Sequence, residues 1–148
     1  MFGIQSKRIE DEYSMIELAE ENIGRVIGRI RELGGDRIAF IALYGSVTKN
    51  RNTPLSDIDL AVFYEGSKEK RFKFRMSVLG RIGDEFDVQI FQDLPLYIQK
   101  EVISSGKLLY YKEYDVVFNI YMNVIKNFDD FTRHLNLYHS YSRGISIE

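Results

Sequence analysis

The residues best suited to chemistry are three aspartates and a glycine–serine pair. Asp57-Ile58-Asp59 opens the alternating run DIDLAVF, and side chains two apart on a strand share a side, so Asp57 and Asp59 present paired carboxylates. Asp87 lies in a second alternating run, EFDVQIF, from which it can join them. Three converging carboxylates repel and raise one another's pKa unless cations sit among them, and hard oxygen donors suit a pair of magnesium ions. Upstream, Gly45-Ser46 follows an apolar run and is placed to open a short helix, where backbone N–H groups and the helix dipole attract phosphate. The glycine permits close approach, and the serine adds a hydroxyl. An isolated Asp-x-Asp is usually a solvated strand end and a lone Gly-Ser means little. The reading rests on the order Gly45-Ser46, Asp57-Ile58-Asp59, Asp87, with each group set against a strand.

Those strands, and the helices around them, are legible as periodicities. Ile9, Tyr13, Ile16, Ile23, Ile27 and Ile30 recur at three- and four-residue steps or their sum, which predicts an amphipathic helix stopped at Gly34-Gly35. Arg37 to Tyr44 is apolar on both alternating faces, as a central strand with helices on both sides must be. Asp57 to Phe63 buries Ile58, Leu60 and Val62 on one face and carries its carboxylates on the other. Between Ser67 and Gly83 a helix is expected with Phe72, Met76, Leu79 and Ile82 as its apolar stripe. Glu85 to Phe91 reads as a third strand. Asp93 is placed to cap a helix with Pro95 in its first turn and Gly106 past its end, followed by a short edge strand at Leu108 to Tyr111 and helix from Glu113 onwards. The alternation gives an α/β fold with a small mixed sheet flanked by helices. The 148 residues are expected to form one domain, with a core from about 10 to 111 and a helical extension from about 113 to 148.

Composition removes other classes. There is no cysteine, so disulfide scaffolds, Cys-ligated zinc and cysteine nucleophiles are excluded, and the compartment leans to the cytoplasm. The longest uninterrupted apolar run, Ile38 to Tyr44, is far short of the about 20 residues a membrane helix needs. A net charge of −2 argues against a surface that coats nucleic acid, so no direct nucleic-acid binding is expected. No repeat, low-complexity tract or proline-rich linker interrupts the chain.

The segment LYGSVTKNRNTPLSDIDLAVF with FDVQIF downstream resembles the minimal nucleotidyltransferase (MNT) proteins of the DNA polymerase beta superfamily, over roughly Arg37 to Phe91. Beyond it, FQDLPLYIQKEVISSGKLLYYKEYDVVFNIYMNVIKNFDDF is similar to the continuation in MNT antitoxins paired with HEPN toxins. The resemblance implies a polymerase beta palm-like fold and a protein adenylyltransferase that moves AMP from ATP to a tyrosine of a HEPN ribonuclease partner. Carried over by position, Gly45 and Ser46 hold the nucleotide's phosphates, Asp57 and Asp59 bind both magnesium ions, and Asp87 binds one and helps deprotonate the acceptor hydroxyl. Two metals would neutralise the attacking and leaving oxygens of an in-line displacement. After Gly-Ser the family carries an aromatic residue, then a small residue, a basic residue and a glycine; here the run is Val47-Thr48-Lys49-Asn50, in which Lys49 keeps the charge. Two alternatives stand beside this reading: an antitoxin that silences its partner by occlusion, and a nucleotidyltransferase for a small acceptor completed by a homo-oligomer.

Three further features are weaker. Lys49 and Arg51 are placed to meet a triphosphate, and the basic run from Ser67 to Arg75 reads as a solvated helix face. Phe118, Tyr121, Ile125, Phe128, Phe131, Leu135 and Tyr138 form an aromatic stripe whose first half suits the domain's own sheet and whose second half suits a partner or a second copy. Arg133, His139 and Tyr141 match the spacing that HEPN ribonucleases use, but the residues after Lys112 are too few for the four-helix bundle that site requires.

Overall fold

The structure, a computed structural model, describes residues 20–45 and 58–142. Ser46, Lys49, Asn50, Arg51 and Asp57 lie outside the described residues, as do Ile9, Tyr13 and Ile16 of the expected first helix. Helix α1 is described over 20–34 and is followed by β1 (Ile38–Tyr44), β2 (Ile58–Tyr64), α2 (Lys68–Leu79), β3 (Phe86–Ile90), α3 (Leu96–Ser105), β4 (Lys107–Tyr111) and α4 (Tyr114–Ser142). The four strands form one mixed sheet in the order β3-β2-β1-β4. β1 pairs antiparallel with both β2 and β4, whereas β2 and β3 run parallel, with α2 as their crossover.

All seven residues of β1 are buried, because the sheet is covered on both faces. On one side Leu43, Leu60, Val62, Val88 and Ile90 pack against Val26 and Ile30 of α1 and Phe74 and Val78 of α2. On the other, Phe40, Ala42, Ala61 and Phe91 pack against Val102 of α3 and Val117 and Val124 of α4. A bulge at Ile38/Phe40 shifts the alternation of β1, so Ala39 and Phe40 both serve this second face. Phe40 is its centre, meeting Phe91 edge-on at 5.0 Å and Tyr121 of α4 at 5.5 Å. Each such pair adds about 0.5–1.5 kcal/mol beyond the area it buries.

The expected strands β1, β2, β3 and β4 and the helix after Glu113 are present, but four details differ. The buried face of α2 is Phe74 and Val78, while Phe72 and Met76 are exposed. Spacings of three and four fit either set; Tyr64, stacked on Phe74 with centroids 4.3 Å apart, decides between them. Asp93 does not cap α3, whose N-cap is Pro95 without a side-chain bond. Instead it accepts a fork from Arg71, Nη2 to Oδ1 at 2.8 Å and Nε to Oδ2 at 3.3 Å. In α4, Val117 and Val124 hold the buried positions and Phe118 is exposed. The solvated reading of the basic run fails at Arg71 and at Arg75, which reaches back to β3.

Gly106 ends α3 with an ordinary extended backbone, so its role is clearance. A Cβ there would collide with the carbonyl oxygens of Val102 and Leu43, both fixed backbone atoms. Gly106→Ala is expected to cost about 1–3 kcal/mol and to lower the thermal midpoint by several degrees. Gly83→Ala, where a Cβ meets nothing, should stay within about 0.5 kcal/mol of wild type in the same melt.

Candidate active site

One row of side chains crosses three strands at the end of the sheet. Tyr44 is the cross-strand partner of Asp59, and Asp59 that of Asp87. The parity of each strand puts all three on the face covered by α3 and α4, since Tyr44 and Ala61 pack there while Leu60 and Val88 pack on the other. The next row inward is Ala42, Ala61 and Gln89. Adjacent strands lie about 4.8 Å apart, so the Asp59 and Asp87 carboxylates are near neighbours.

Gly45 follows directly, with φ at +84°, in the left-handed region that L residues avoid at a cost of about 1–2 kcal/mol. A Cβ at this position would strike the Asp59 carboxylate. Glycine is therefore required twice, for the turn out of β1 and for the space that Asp59 occupies. Asp87 is held by its neighbours: the Gln89 Nε2 amide donates to both of its oxygens at 3.3 and 3.2 Å, and Arg75 Nη2 stands 3.9 Å from Oδ1. Arg75 is itself fixed by donating from Nε to the Val88 carbonyl at 2.8 Å. This cation offsets part of the repulsion between the two acids.

Tyr44 reports the field of the site. Its phenol is pushed up to about 12, first by burial and then by the negative charges of Asp59, Asp87 and Glu101, with Arg75 opposing. Glu101 on α3 thus belongs to the electrostatic surroundings of the acid pair.

The structure brings Gly45, Asp59 and Asp87 together; Ser46 and Asp57 lie outside the described residues. Among the described residues no group of three metal-ligating side chains gathers, and the acid pair supplies two. Its donor chemistry fits a hard divalent cation: adjacent carboxylates whose charges repel in the absence of one. Sequence reasoning missed Tyr44, Gln89 and Glu101 as site residues and placed Arg75 on a solvated face. Gln89 carried a readable signal, sharing the strand parity of Asp87.

The family model described as "Polymerase beta, Nucleotidyltransferase" matches residues 30–115, from the end of α1 to the start of α4. The chain belongs to this family. A relative from Methanocaldococcus jannaschii named "putative protein adenylyltransferase" is 36% identical over 81 residues, 55% of this chain and 62% of that protein. The match therefore spans less than two thirds of the relative's length. Among solved structures, a chain of a toxin–antitoxin complex with AMP-PNP superposes with a TM-score of 0.62 at 16% identity, over 80% of this chain and 97% of its own. A chain of the tri-AMPylated Shewanella oneidensis HEPN toxin in complex with MNT antitoxin gives 0.60 at 15% identity, over 84% and 98%. These two likenesses show the nucleotidyltransferase fold, including the long C-terminal helix that follows the family match.

In this nucleotidyltransferase the raised Tyr44 value sets a pH dependence. Unfolded, Tyr44 ionises near 10.0; folded, at about 12. Between those values the unfolded chain has released its proton and the folded one has not, so deprotonation favours unfolding. Stability should be untouched by Tyr44 below pH ~10 and fall by a total of about 2–3 kcal/mol as pH rises to ~12. Denaturant titrations of wild type and Tyr44→Phe across this window should show a shallower loss in the variant. Parallel losses would remove Tyr44 as the source.

Proposed function

We propose that this chain transfers AMP from ATP to a tyrosine hydroxyl of a HEPN ribonuclease toxin and thereby acts as its antitoxin. The observation that carries the reading is the register of Asp59 with Asp87 beside the left-handed Gly45, in a member of a nucleotidyltransferase family. The relative's name supports protein as the acceptor, and the folds of the toxin–antitoxin chains support the partner class.

In this mechanism Gly45 and Ser46 hold the nucleotide's phosphates against backbone N–H groups. Asp57 and Asp59 would hold two magnesium ions and Asp87 one of them, which would supply charge neutralisation at the α-phosphoryl group. The tyrosine oxygen forms a bond to the α-phosphorus, the bond to the bridging oxygen breaks, and pyrophosphate leaves. Asp87 receives the tyrosine proton, held in position by Gln89 and Arg75. Most of the remaining acceleration comes from orientation.

The partner's place is suggested by α4. Val117 and Val124 are buried and Tyr121 and Phe128 half-buried against the body, but Phe131, Leu135 and Tyr138 on the same stripe are exposed. No helix among the described residues is long and apolar enough to cross a membrane, so this stripe is not explained by lipid spanning.

Two experiments test the reading. With α-labelled ATP, magnesium and the co-expressed HEPN protein, wild type should label the partner. Asp57→Asn with Asp59→Asn should lower labelling by about a hundredfold or more, the equivalent of several kcal/mol of lost transition-state stabilisation. Equal labelling would refute the acid assignment. Truncation after Asn127 should leave the melting curve within a few degrees of wild type, because Phe128 beneath Lys100 is the one stripe residue it removes that packs on the body, yet abolish co-purification with the partner. A truncated chain that unfolds would make the distal stripe part of the core.

A further inference from the structure

Beneath the sheet, on the face opposite the acid pair, lies a cleft of about 320 Å³ between α1 and the turn that leads from α2 into β3. Arg25 and Arg29 enter it from α1, one helical turn apart, and Arg81 enters from the far wall. Val26, Ile82 and Phe86 line it from the core side, and Glu85 is the one acid at its edge. The lining thus carries three positive charges against one negative, in a chain whose net charge is −2.

The arginines elsewhere on this side of the fold are used structurally. Arg71 pairs with Asp93, and Arg75 reaches Asp87 and the Val88 carbonyl. Among the described residues, none of Arg25, Arg29 and Arg81 has a carboxylate within ion-pair distance; Arg25 donates to the Asn22 side chain at 2.8 Å. Like charges one turn apart on a helix destabilise it slightly, and a third cation across the cleft adds to that. A guanidinium presents a planar fork that matches phosphate oxygens two at a time, and several forks around one small space recognise phosphate rather than a single carboxylate. The volume is at the lower end of small-molecule sites.

We propose that this cleft is a second, metal-independent site for a small phosphate-bearing anion, of the size of pyrophosphate or a nucleotide. It is separate from the acid pair: Phe86 and Asp87 are consecutive on β3, so Phe86 faces the cleft while Asp87 faces the opposite side of the sheet. An anion held by the arginines therefore lies one residue along the strand from the Asp87 carboxylate without meeting it.

The test is calorimetric titration of the full chain with inorganic pyrophosphate, and separately with AMP, in the presence of EDTA. Without divalent ions the acid pair repels both probes. Saturable binding is expected in wild type, weakened about tenfold or more in Arg29→Gln with Arg81→Gln, and unchanged in Asp59→Asn. Tighter binding of pyrophosphate identifies a site for inorganic polyphosphate, and tighter binding of AMP one that also accepts a nucleoside. The three arginines are exposed, and circular dichroism melts confirm that the double variant remains folded. Absence of saturable binding in wild type overturns the proposal. So does unchanged affinity in the folded arginine variant, or a loss confined to Asp59→Asn.

Discussion

Two like charges set side by side on parallel strands are the constraint around which this chain is arranged. Asp59 and Asp87 share a register across β2 and β3, at a strand spacing of about 4.8 Å. Parallel neighbours cannot be joined by a hairpin, so the chain must leave the sheet, cross it and return. Helix α2 makes that crossing, and burying Phe74 and Val78 fixes its rotation about its own axis. The same rotation brings Arg75, one residue from Phe74, within reach of Asp87 and the Val88 carbonyl. The helix that makes the parallel pairing possible thus also carries the cation that moderates its electrostatic cost.

Polarity changes in steps along the face that bears the acids. Phe40 and Phe63 form an aromatic row deep in the sheet, Ala42, Ala61 and Gln89 follow, and Tyr44, Asp59 and Asp87 come last. Each row is one inward-pointing step of the pleat. The acids consequently stand where a packed, low-dielectric interior gives way to solvent, and charges there interact more strongly than in water. The elevated Tyr44 phenol is the trace of that environment, because burial and neighbouring carboxylates both disfavour a phenolate.

Much of this was legible in the sequence because a strand writes its period directly into residue order. RIAFIALY announces a strand covered on both faces, and the alternation around Asp59 and Asp87 assigns both acids to one side of their strands. What could not be read is whatever depends on partners distant in sequence. Asp93 looks like a helix cap until Arg71, 22 residues away, is seen to hold it. Phe72 and Phe74 are equally good anchors until Tyr64 stacks on one of them. Arg75 and Glu101 have no local pattern that ties them to an acid pair, whereas Gln89, two positions from Asp87, shows in its spacing what it does.

The C-terminal helix poses the remaining structural question, and length answers part of it. At about 1.5 Å per residue, the 29 residues of α4 extend about 43 Å, more than twice the width of a four-stranded sheet. No arrangement lets the chain's own sheet cover a helix of that length. The first half is covered, with Tyr121 against Phe40 and Phe128 beneath the Lys100 ammonium. The second half continues the three- and four-residue spacing through Phe131, Leu135 and Tyr138, although the body no longer reaches it. A helix evolved to face water has no reason to keep that spacing, and Phe, Tyr, Thr, Asn and His are weak helix formers that gain most of their stability from packing. In the distal turns the aromatic and leucine side chains keep to one stripe, and the charges of Asp129, Asp130 and Arg133 lie off it. An exposed stripe of this kind on a helix longer than its own sheet is the surface on which the proposed partner would pack.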